Sequence, residues 1–497
     1  MKTMKNIVVG VVAALALVSC GTDYLDTENK RYLEETDAAA LAAKNPTAFV
    51  NGMWTMMVND PLELDRHDCF GYMSILHVAD LNSGDMVMAR AHWFQYDYEM
   101  DNRMASWNRT QSHWGTLYTM VKYANDLISL FPKGPETEEE MILVGQAQAV
   151  RGLAYMTLIQ LYQNYLDEEG NIARERPGVP LKYVAADGKT PEEIEEAKGR
   201  NTVGKVFDQI QTDLENAVQN LTEAYYVRSS KNNIDANVAY GLLARFYLLS
   251  QQWEKAAEAA NIARQGYTPM AAEMLHDGFM DIKNAEWMWG FAESSENTGY
   301  FASFFSHVSN FEAGYAGLNY APRLIDASLY DQIADDDERK TLFNGPDGDE
   351  TQLTTAASLA YASLKFGSDG NFTEDYVYMR ASEMYLIEAE ALAHLGLNAE
   401  AAQVLGELME KRQPSWNEET VTVEDVLLQR RIELWGEGFA FFDLKRNNLG
   451  FVRDYEGTNH LEGFIFDLDA QEPDWTYQIP RIEIQENPYI SEDEQND

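Results

Sequence analysis

Beyond residue 45, apolar residues recur every three or four positions along most of the chain, which is the spacing of one face of an α-helix. One such stripe predicts a helix over about Glu138 to Tyr165. Another predicts a helix over about Val203 to Leu221, with Thr202 as its capping residue. Patterns typical of strands are few. The sequence therefore predicts an all-α fold.

Two later stretches resemble copies of one helix pair, the first from Asn237 to Arg264 and the second from Ser382 to Lys411. In each, a helix with bulky apolar residues precedes a helix rich in alanine. Small residues let paired helices approach closely, as they do in tetratricopeptide repeats. With further helices near 114–130 and 424–445, we expect a scaffold of four tetratricopeptide-like pairs.

The stretch from about residue 267 to residue 372 differs from the rest of the chain in composition and periodicity. It lacks sustained periodicity and is rich in Gly, Asn, Asp, Ser and aromatic residues. Loops of this length inside a compact domain are usually functional or disordered, and the aromatic content argues against disorder. We predict that this stretch forms an irregular, loop-rich ligand-binding extension of the helical scaffold.

The N-terminus carries the signals of export. Lys2 and Lys5 precede an apolar stretch, Ile7 to Val18, that is too short to span a bilayer. The sequence that ends at Cys20 resembles the bacterial lipobox, in which cleavage precedes an acylated cysteine. We therefore predict a signal peptide over 1–19, lipidation of Cys20, and a polar, acidic tether over 20–45. The alternative is an ordinary secretory signal with a coincidental cysteine.

The amino-acid composition limits the classes of partner that the protein can bind. The 497 residues include 38 basic and 81 acidic side chains, for a formal net charge of −43. Such a surface repels phosphates, which argues against nucleic acid and anionic lipid headgroups as partners. With Cys20 assigned to the lipid, Cys69 has no disulfide partner and is expected to be a buried, inert thiol.

A search for catalytic and metal-binding motifs gives mainly negatives, and we predict no enzyme activity, no metal and no cofactor. His77, Asp80 and Asp85 lie close together in the sequence, but their spacing matches no known ligand pattern. We interpret them as a loop histidine and helix-capping aspartates. The acidic composition leaves Ca²⁺ binding open, with no residues assigned to it.

Aromatic and polar residues cluster in two loop-like places, around residues 92–103 and within the irregular stretch. A sugar ring has an apolar face and a rim of hydroxyls, so its binding site needs flat aromatic rings beside hydrogen-bonding groups. The alternative is that these rings are core packing. The predicted ligand-binding residues are Trp93, Tyr96, Tyr98, Asn102, Arg103, Trp287, Trp289, Tyr315 and Tyr320.

Several elements, taken in order, resemble the SusD/RagB family of outer-membrane lipoproteins. They span nearly the whole chain behind the lipobox. They are Asp23-Tyr-Leu-Asp26, Trp114-Gly-Thr-Leu-Tyr118, Arg151-Gly-Leu-Ala-Tyr155, Leu242-Leu-Ala-Arg245, Arg380-Ala-Ser-Glu383, Arg430-Arg-Ile-Glu-Leu-Trp-Gly-Glu-Gly438, Asp443-Leu-Lys-Arg446 and Tyr477-Gln-Ile-Pro480. The charged residues among Arg430 to Arg446 are expected to form a partly buried ion network with a structural role.

The resemblance implies an all-helical fold with an N-terminal half over 46–230 and a C-terminal half over 231–497. It also implies a glycan-binding lipoprotein on the outer face of the outer membrane. Such a protein delivers nutrient to a TonB-dependent SusC-like transporter and acts as its lid. Two alternatives remain open, a helical-barrel glycoside hydrolase or lyase and a peptide-binding or structural partner of the transporter.

Overall fold

The structure, a computed structural model, describes residues 46–62 and 64–496. The predicted signal peptide, Cys20 and the tether lie outside the described residues. The helices are α1 (Pro46–Val58), α2 (Tyr72–Leu81), α3 (Gln95–Tyr98), α4 (Asn108–Ile128), α5 (Glu138–Tyr162), α6 (Pro191–Glu196), α7 (Val203–Glu223), α8 (Ala236–Leu249), α9 (Trp253–Ala263), α10 (Phe304–Val308), α11 (Ala327–Asp331), α12 (Ala381–His394), α13 (Asn398–Met409), α14 (Val423–Glu433), α15 (Ala440–Arg446) and α16 (Arg481–Glu486). The strands are β1 (Met86–Met88), β2 (Trp287–Phe291), β3 (Arg323–Ile325) and β4 (Tyr376–Arg380).

The long helices form the predicted scaffold. Helix α4 packs on α5, α5 on α7, α7 on α8 and α8 on α9; α9 then packs on α12, which also contacts α13 and α14. The predicted pairs are confirmed as α8 with α9 and α12 with α13. Ala256 and Ala401, at the start of the second helix of each pair, are fully buried. Their small side chains let the paired helices approach closely.

Several helices begin at residues that satisfy their free backbone N–H groups. The Thr137 hydroxyl accepts from the N–H of Glu140, whose carboxylate accepts in return from the N–H of Thr137. Thr202 accepts from the N–H of Lys205, which confirms its predicted capping role. Each such cap contributes about 0.5–2 kcal/mol.

Helix α5 is the most apolar long helix in the described part of the chain. By length and composition it passes the test for a membrane span, but 83% of its most apolar window is buried in the protein. Arg151 in its middle donates to Asp213 of α7, to Asp187 and to Asn125 of α4. We conclude that α5 is a core helix that ion pairs fix to its neighbours.

The irregular stretch that was predicted over residues 267–372 contains only short elements, and two antiparallel ladders join it to the rest. Strand β1 pairs with β3, with Met88 opposite Arg323. Strand β2 pairs with β4, with Trp287 opposite Arg380. Since β4 runs directly into α12, the second ladder attaches the irregular stretch to the helical scaffold.

A buried ion network reinforces this attachment. The Glu433 carboxylate accepts from Arg380 Nη1 at 2.7 Å and from Arg412 Nε and Nη2 at 2.9 Å each. Arg339, from the irregular stretch, donates to the same carboxylate at 3.3 Å. Burial alone would raise the pKa of the Glu433 carboxyl, but the arginines hold that pKa well below its usual range.

The predicted network among residues 430–446 is confirmed, and it divides into separate groups. Arg430 and Arg446 both pair with Asp443, and Arg446 also pairs with Glu390. Arg431 pairs instead with Asp85, at 2.6 Å. These contacts support a structural role for the charged residues.

Replacing Glu433 with Gln is expected to lower the free energy of unfolding by about 3–5 kcal/mol, because it removes the carboxylate that three buried arginines share. Urea unfolding followed by circular dichroism measures this loss. The matched control is Glu418→Gln, at an exposed residue, which should change stability by less than about 0.5 kcal/mol. A stable Glu433→Gln variant with a selective loss of ligand affinity would contradict the structural role.

Candidate functional site

The β1–β3 ladder brings together two segments that are far apart in the sequence. Residues 89–94 follow β1 and carry His92 and Trp93, whereas residues 315–320 precede β3 and carry Tyr315 and Tyr320. The N–H of Ala89 donates to the carbonyl of Pro322 at 3.0 Å, which extends the ladder toward these segments. The aromatic residues of the two segments therefore lie side by side.

We define the aromatic surface as a continuous group of rings from five loop segments. Its members are His67, His92, Trp93, Tyr300, Phe301, Tyr315, Tyr320 and Phe372. The His92 ring centroid lies 5.0 Å from that of Tyr315 and 5.7 Å from that of Tyr320. Phe301 lies 5.6 Å from Tyr315 and 5.7 Å from Phe372. Tyr300 and Tyr320 are 57% and 54% exposed, so the group opens to solvent.

Two histidines, the buried His307 and the half-buried His67, hold Tyr315 in place. The His307 ring of α10 stacks on Tyr315 with centroids 4.8 Å apart, and His307 Nε2 donates to the His67 carbonyl at 2.7 Å. The Tyr315 hydroxyl is 2.6 Å from His67 Nδ1. Burial, with the nearby Arg323 cation, lowers the pKa of His307 to about 3. His307 is therefore neutral at ordinary pH and acts as an aromatic support.

An open cleft of about 630 Å³ lies beside the aromatic surface and shares His92 and Trp93 with it. Tyr96 and Trp107 form another side of the cleft, with ring centroids 5.3 Å apart. The Arg66 guanidinium lies over the Trp93 ring, 5.2 Å from its centroid. The cleft thus combines aromatic walls with polar groups.

The charges at the floor of the cleft neutralise one another. Arg109 donates to both Asp97 oxygens, at 2.8 and 2.9 Å, and to Asp68 at 2.9 Å. Arg66 also donates to Asp68, at 2.8 and 2.9 Å. Burial alone would lower the pKa of Arg109. The two carboxylates raise that pKa by more, so the net shift is upward. All four groups are therefore paired with one another.

Three carboxyl groups meet beneath the loop that carries Phe372. Oxygens of Glu312, Asp369 and Glu374 lie within 4.8 Å of one another, and Glu312 and Glu374 are buried. Burial, and a hydrogen bond with Glu312, raise the pKa of Glu374 to about 9. At neutral pH Glu374 therefore keeps its proton, which lies between the Glu374 and Glu312 carboxyl groups.

The predicted site residues divide into two sets. Trp93, Tyr96, Tyr315 and Tyr320 are exposed or half-buried, and each belongs to the aromatic surface or to the cleft. Asn102 is buried but lines the cleft. Contact of these five residues with a ligand remains a prediction.

The structure corrects the prediction for Tyr98, Arg103, Trp287 and Trp289. Tyr98 and both tryptophans have no solvent exposure, and Arg103 is 6% exposed. The Arg103 guanidinium lies 4.0 Å from the centroid of Tyr477 and donates to Asn82, so it is a packing residue. A side chain that the core surrounds has no face left for a ligand.

The residues considered as a metal site each have another partner. Asp85 pairs with Arg431, Asp80 accepts from the N–H of Gly438 at 2.8 Å, and His77 accepts from Arg323. These contacts are structural, but His77 and Asp80 lie within α2 and are buried, so the interpretation of His77 as a loop histidine is wrong. Cys69 is buried, as expected, and burial raises the pKa of its thiol.

Sequence reasoning missed several members of the site. His67, Phe301 and Phe372 complete the aromatic surface, and Trp107 and Arg66 complete the cleft. Except for Phe301, each is a single ring or cation that polar residues flank, so no cluster of aromatic residues indicated it. Only the position of Phe301 beside Tyr300, in a loop already thought to be functional, offered a signal.

The fold defines the class of the protein, a scaffold of helix pairs that carries an irregular extension. Within that class the chain belongs to the SusD/RagB family. A model of SusD-like proteins, described as "Starch-binding associating with outer membrane", matches residues 23–248. A model of the SusD family matches residues 354–496.

Relatives and solved structures agree with this membership. SusD-like protein P2 of Formosa agariphila is 26% identical over 408 residues, which are 73% of this chain and 75% of the relative. A SusD-like carbohydrate-binding protein from Bacteroides vulgatus has a TM-score of 0.76 at 24% identity, and the match covers 93% of this chain and 98% of that one. A laminarin-binding SusD-like protein has a TM-score of 0.64 at 18% identity, with 94% and 99% covered.

Replacing Trp289 with Ala is expected to lower the free energy of unfolding by about 3–5 kcal/mol, because it removes a fully buried indole. The Trp289 ring packs 4.9 Å from Tyr378, and its Nε1 donates to the carbonyl of Asn232. Chemical denaturation measures the loss, with the half-buried Trp93→Ala as the comparison. Equal, small losses in both variants would contradict the burial of Trp289.

The pH dependence of stability should report on Glu374. Its carboxyl has a pKa of about 9 when folded, against 4.5 for the free group. Between these values the folded state holds the extra proton, so raising the pH weakens the fold by up to about 1.4 kcal/mol per pH unit.

Replacing Glu374 with Gln, which mimics the protonated carboxyl, should flatten the fall in melting temperature between pH 5 and pH 9. Thermal unfolding across this range measures the slope. Glu350→Gln, at an exposed residue, is the control and should retain the slope of the original protein. Parallel profiles for the Glu374 variant and the original protein would refute the shared proton.

Proposed function

We propose that this protein is a non-catalytic glycan-binding lipoprotein that captures an oligosaccharide or polysaccharide at the aromatic surface. The observation that carries the proposal is the open group of rings around Trp93, Tyr315 and Tyr320. The flat faces of such rings stack on the apolar faces of sugars. A structural neighbour that is described as laminarin-binding, and a family described as starch-binding, are consistent with this ligand class.

The surroundings of the rings favour binding over catalysis. Glycoside hydrolases place two carboxyl groups about 5–5.5 or 6.5–9.5 Å apart across the scissile bond. Glu312 and Glu374 lie below the aromatic surface in hydrogen-bond contact and are buried, and the pKa of Glu374 is raised. This spacing leaves no room for a glycosidic bond between them.

The partner and the location follow from the family resemblance. We propose that Cys20 carries the lipid and holds the protein on the outer face of the outer membrane. There it delivers glycan to a SusC-like TonB-dependent transporter and closes over it as a lid. This function requires a difference in ligand affinity between the open and closed states of the complex.

Replacing Trp93 or Tyr320 with Ala should lower glycan affinity at least about tenfold, or about 1.4 kcal/mol, because each variant loses a stacking ring. Affinity electrophoresis in gels that contain laminarin, starch and a panel of other glycans measures retention. Tyr225→Ala, which removes a ring that is 86% exposed outside the aromatic surface, is the control. Unchanged retention of both site variants would reject the proposed surface.

The alternative functions predict different experimental results with the same purified protein. Release of reducing sugar from a retained glycan would support a hydrolase. Co-purification with a transporter, without retention by any glycan, would support a peptide-binding or structural partner. Metabolic labelling of Cys20 with a fatty acid, and its loss in Cys20→Ala, tests the anchor.

A further inference from the structure

The cleft between Trp93 and Trp107 has features of a binding site in its own right. Its volume of about 630 Å³ lies within the range of about 300–1,000 Å³ that is typical of small-molecule sites. Tyr96, 46% exposed, and Trp107 present a second pair of rings that does not belong to the aromatic surface. The cleft can therefore take a ligand group of the size of one or two sugar rings.

Neutral polar groups in the cleft have no partner within the described part of the chain. The side chains of Gln95, Ser106 and Asn108 line the cleft and make no hydrogen bond there. Asn102 donates through Nδ2 to Asp97 at 2.7 Å, which fixes the amide orientation, and its Oδ1 is left without a partner. Amides and hydroxyls of this kind hydrogen-bond to sugar hydroxyls.

The charged groups of the cleft, by contrast, are already in use. Arg109 donates hydrogen bonds to Asp68 and Asp97, and Arg66 donates to Asp68 through Nε and Nη2. A carboxylate or sulfate on the ligand would find only Arg66 Nη1, in a protein whose net charge is −43. The site therefore matches a neutral ligand better than an anionic one.

We propose that the cleft is a second sugar subsite that takes a neutral sugar, and that one glycan occupies the cleft and the aromatic surface together. Trp93 contributes to both places, so a ligand can pass from one to the other without leaving the protein. The preferred ligand is then a neutral glycan of several residues, with one part stacked on Tyr96 and Trp107. This inference rests on the proposed glycan-binding function.

The test compares a variant of the cleft, a variant of the aromatic surface and a variant that changes both. Trp107→Ala changes only the cleft, Tyr320→Ala only the aromatic surface, and Trp93→Ala both. Affinity electrophoresis in laminarin and starch gels should show about fivefold or greater weakening for each single-place variant and the greatest weakening for Trp93→Ala. Retention should be equal at low and high NaCl, since no unpaired charge binds the ligand.

The outcomes separate the two proposals. Weakening by Tyr320→Ala and Trp93→Ala, but not by Trp107→Ala, would overturn the subsite and leave the aromatic surface intact. A wild-type protein that no glycan retains, or three variants without effect, would overturn both. A steep fall of retention with salt would overturn the neutral ligand class.

A second variant protects the test against misfolding. The double change of Gln95→Ala and Asn108→Ala removes two cleft amides outside the hydrophobic core. If Trp107→Ala lowers the melting temperature, the double variant replaces it as the test of the subsite. Unchanged retention of the double variant by glycan would overturn the subsite.

Discussion

A buried set of balanced charges fixes the irregular region on the helical scaffold. Glu433 on α14 meets Arg412 beyond α13, Arg380 at the junction of β4 and α12, and Arg339 from the irregular region. Glu286, next to β2, pairs with Arg380. Removing one partner would leave a charge without compensation in a medium of low polarity. The segments that carry these residues must therefore pack together. This fixes the position of the irregular region on the helical scaffold.

That position determines where the rings of the aromatic surface lie. After β2, which pairs with β4, the chain runs through α10 to β3, and the loops before and after α10 carry Tyr300, Phe301, Tyr315 and Tyr320. Gly314 is needed in this path because an added Cβ would lie 2.4 Å from the Ser306 Cα atom. The loops that carry Tyr315 and Tyr320 thus rest on packed elements, which gives the rings a fixed geometry.

The sequence predicted the helical scaffold well, because the 3.6-residue period of a helix such as α7 is a local property of the chain. It located the rings of residues 93, 315 and 320 but could not separate them from Trp287 and Trp289. The latter lie on a strand buried on both faces, and local composition cannot distinguish such a strand from an aromatic loop. The pairing of β1 with β3 joins residues far apart in the sequence, and no local pattern marks it.

The strongly acidic composition is compatible with the proposed site for neutral sugar because carboxylates close by pair with the arginines near the rings. Asp68 and Asp97 neutralise Arg66 and Arg109, so the cleft has fixed dipoles and little net charge. A ligand then displaces water from rings and amides without separating an ion pair, which avoids the desolvation cost of breaking one. Selectivity among glycans would then depend on the shape of the ring surface and the positions of hydroxyls, properties that loop sequence can change while the ion pairs remain.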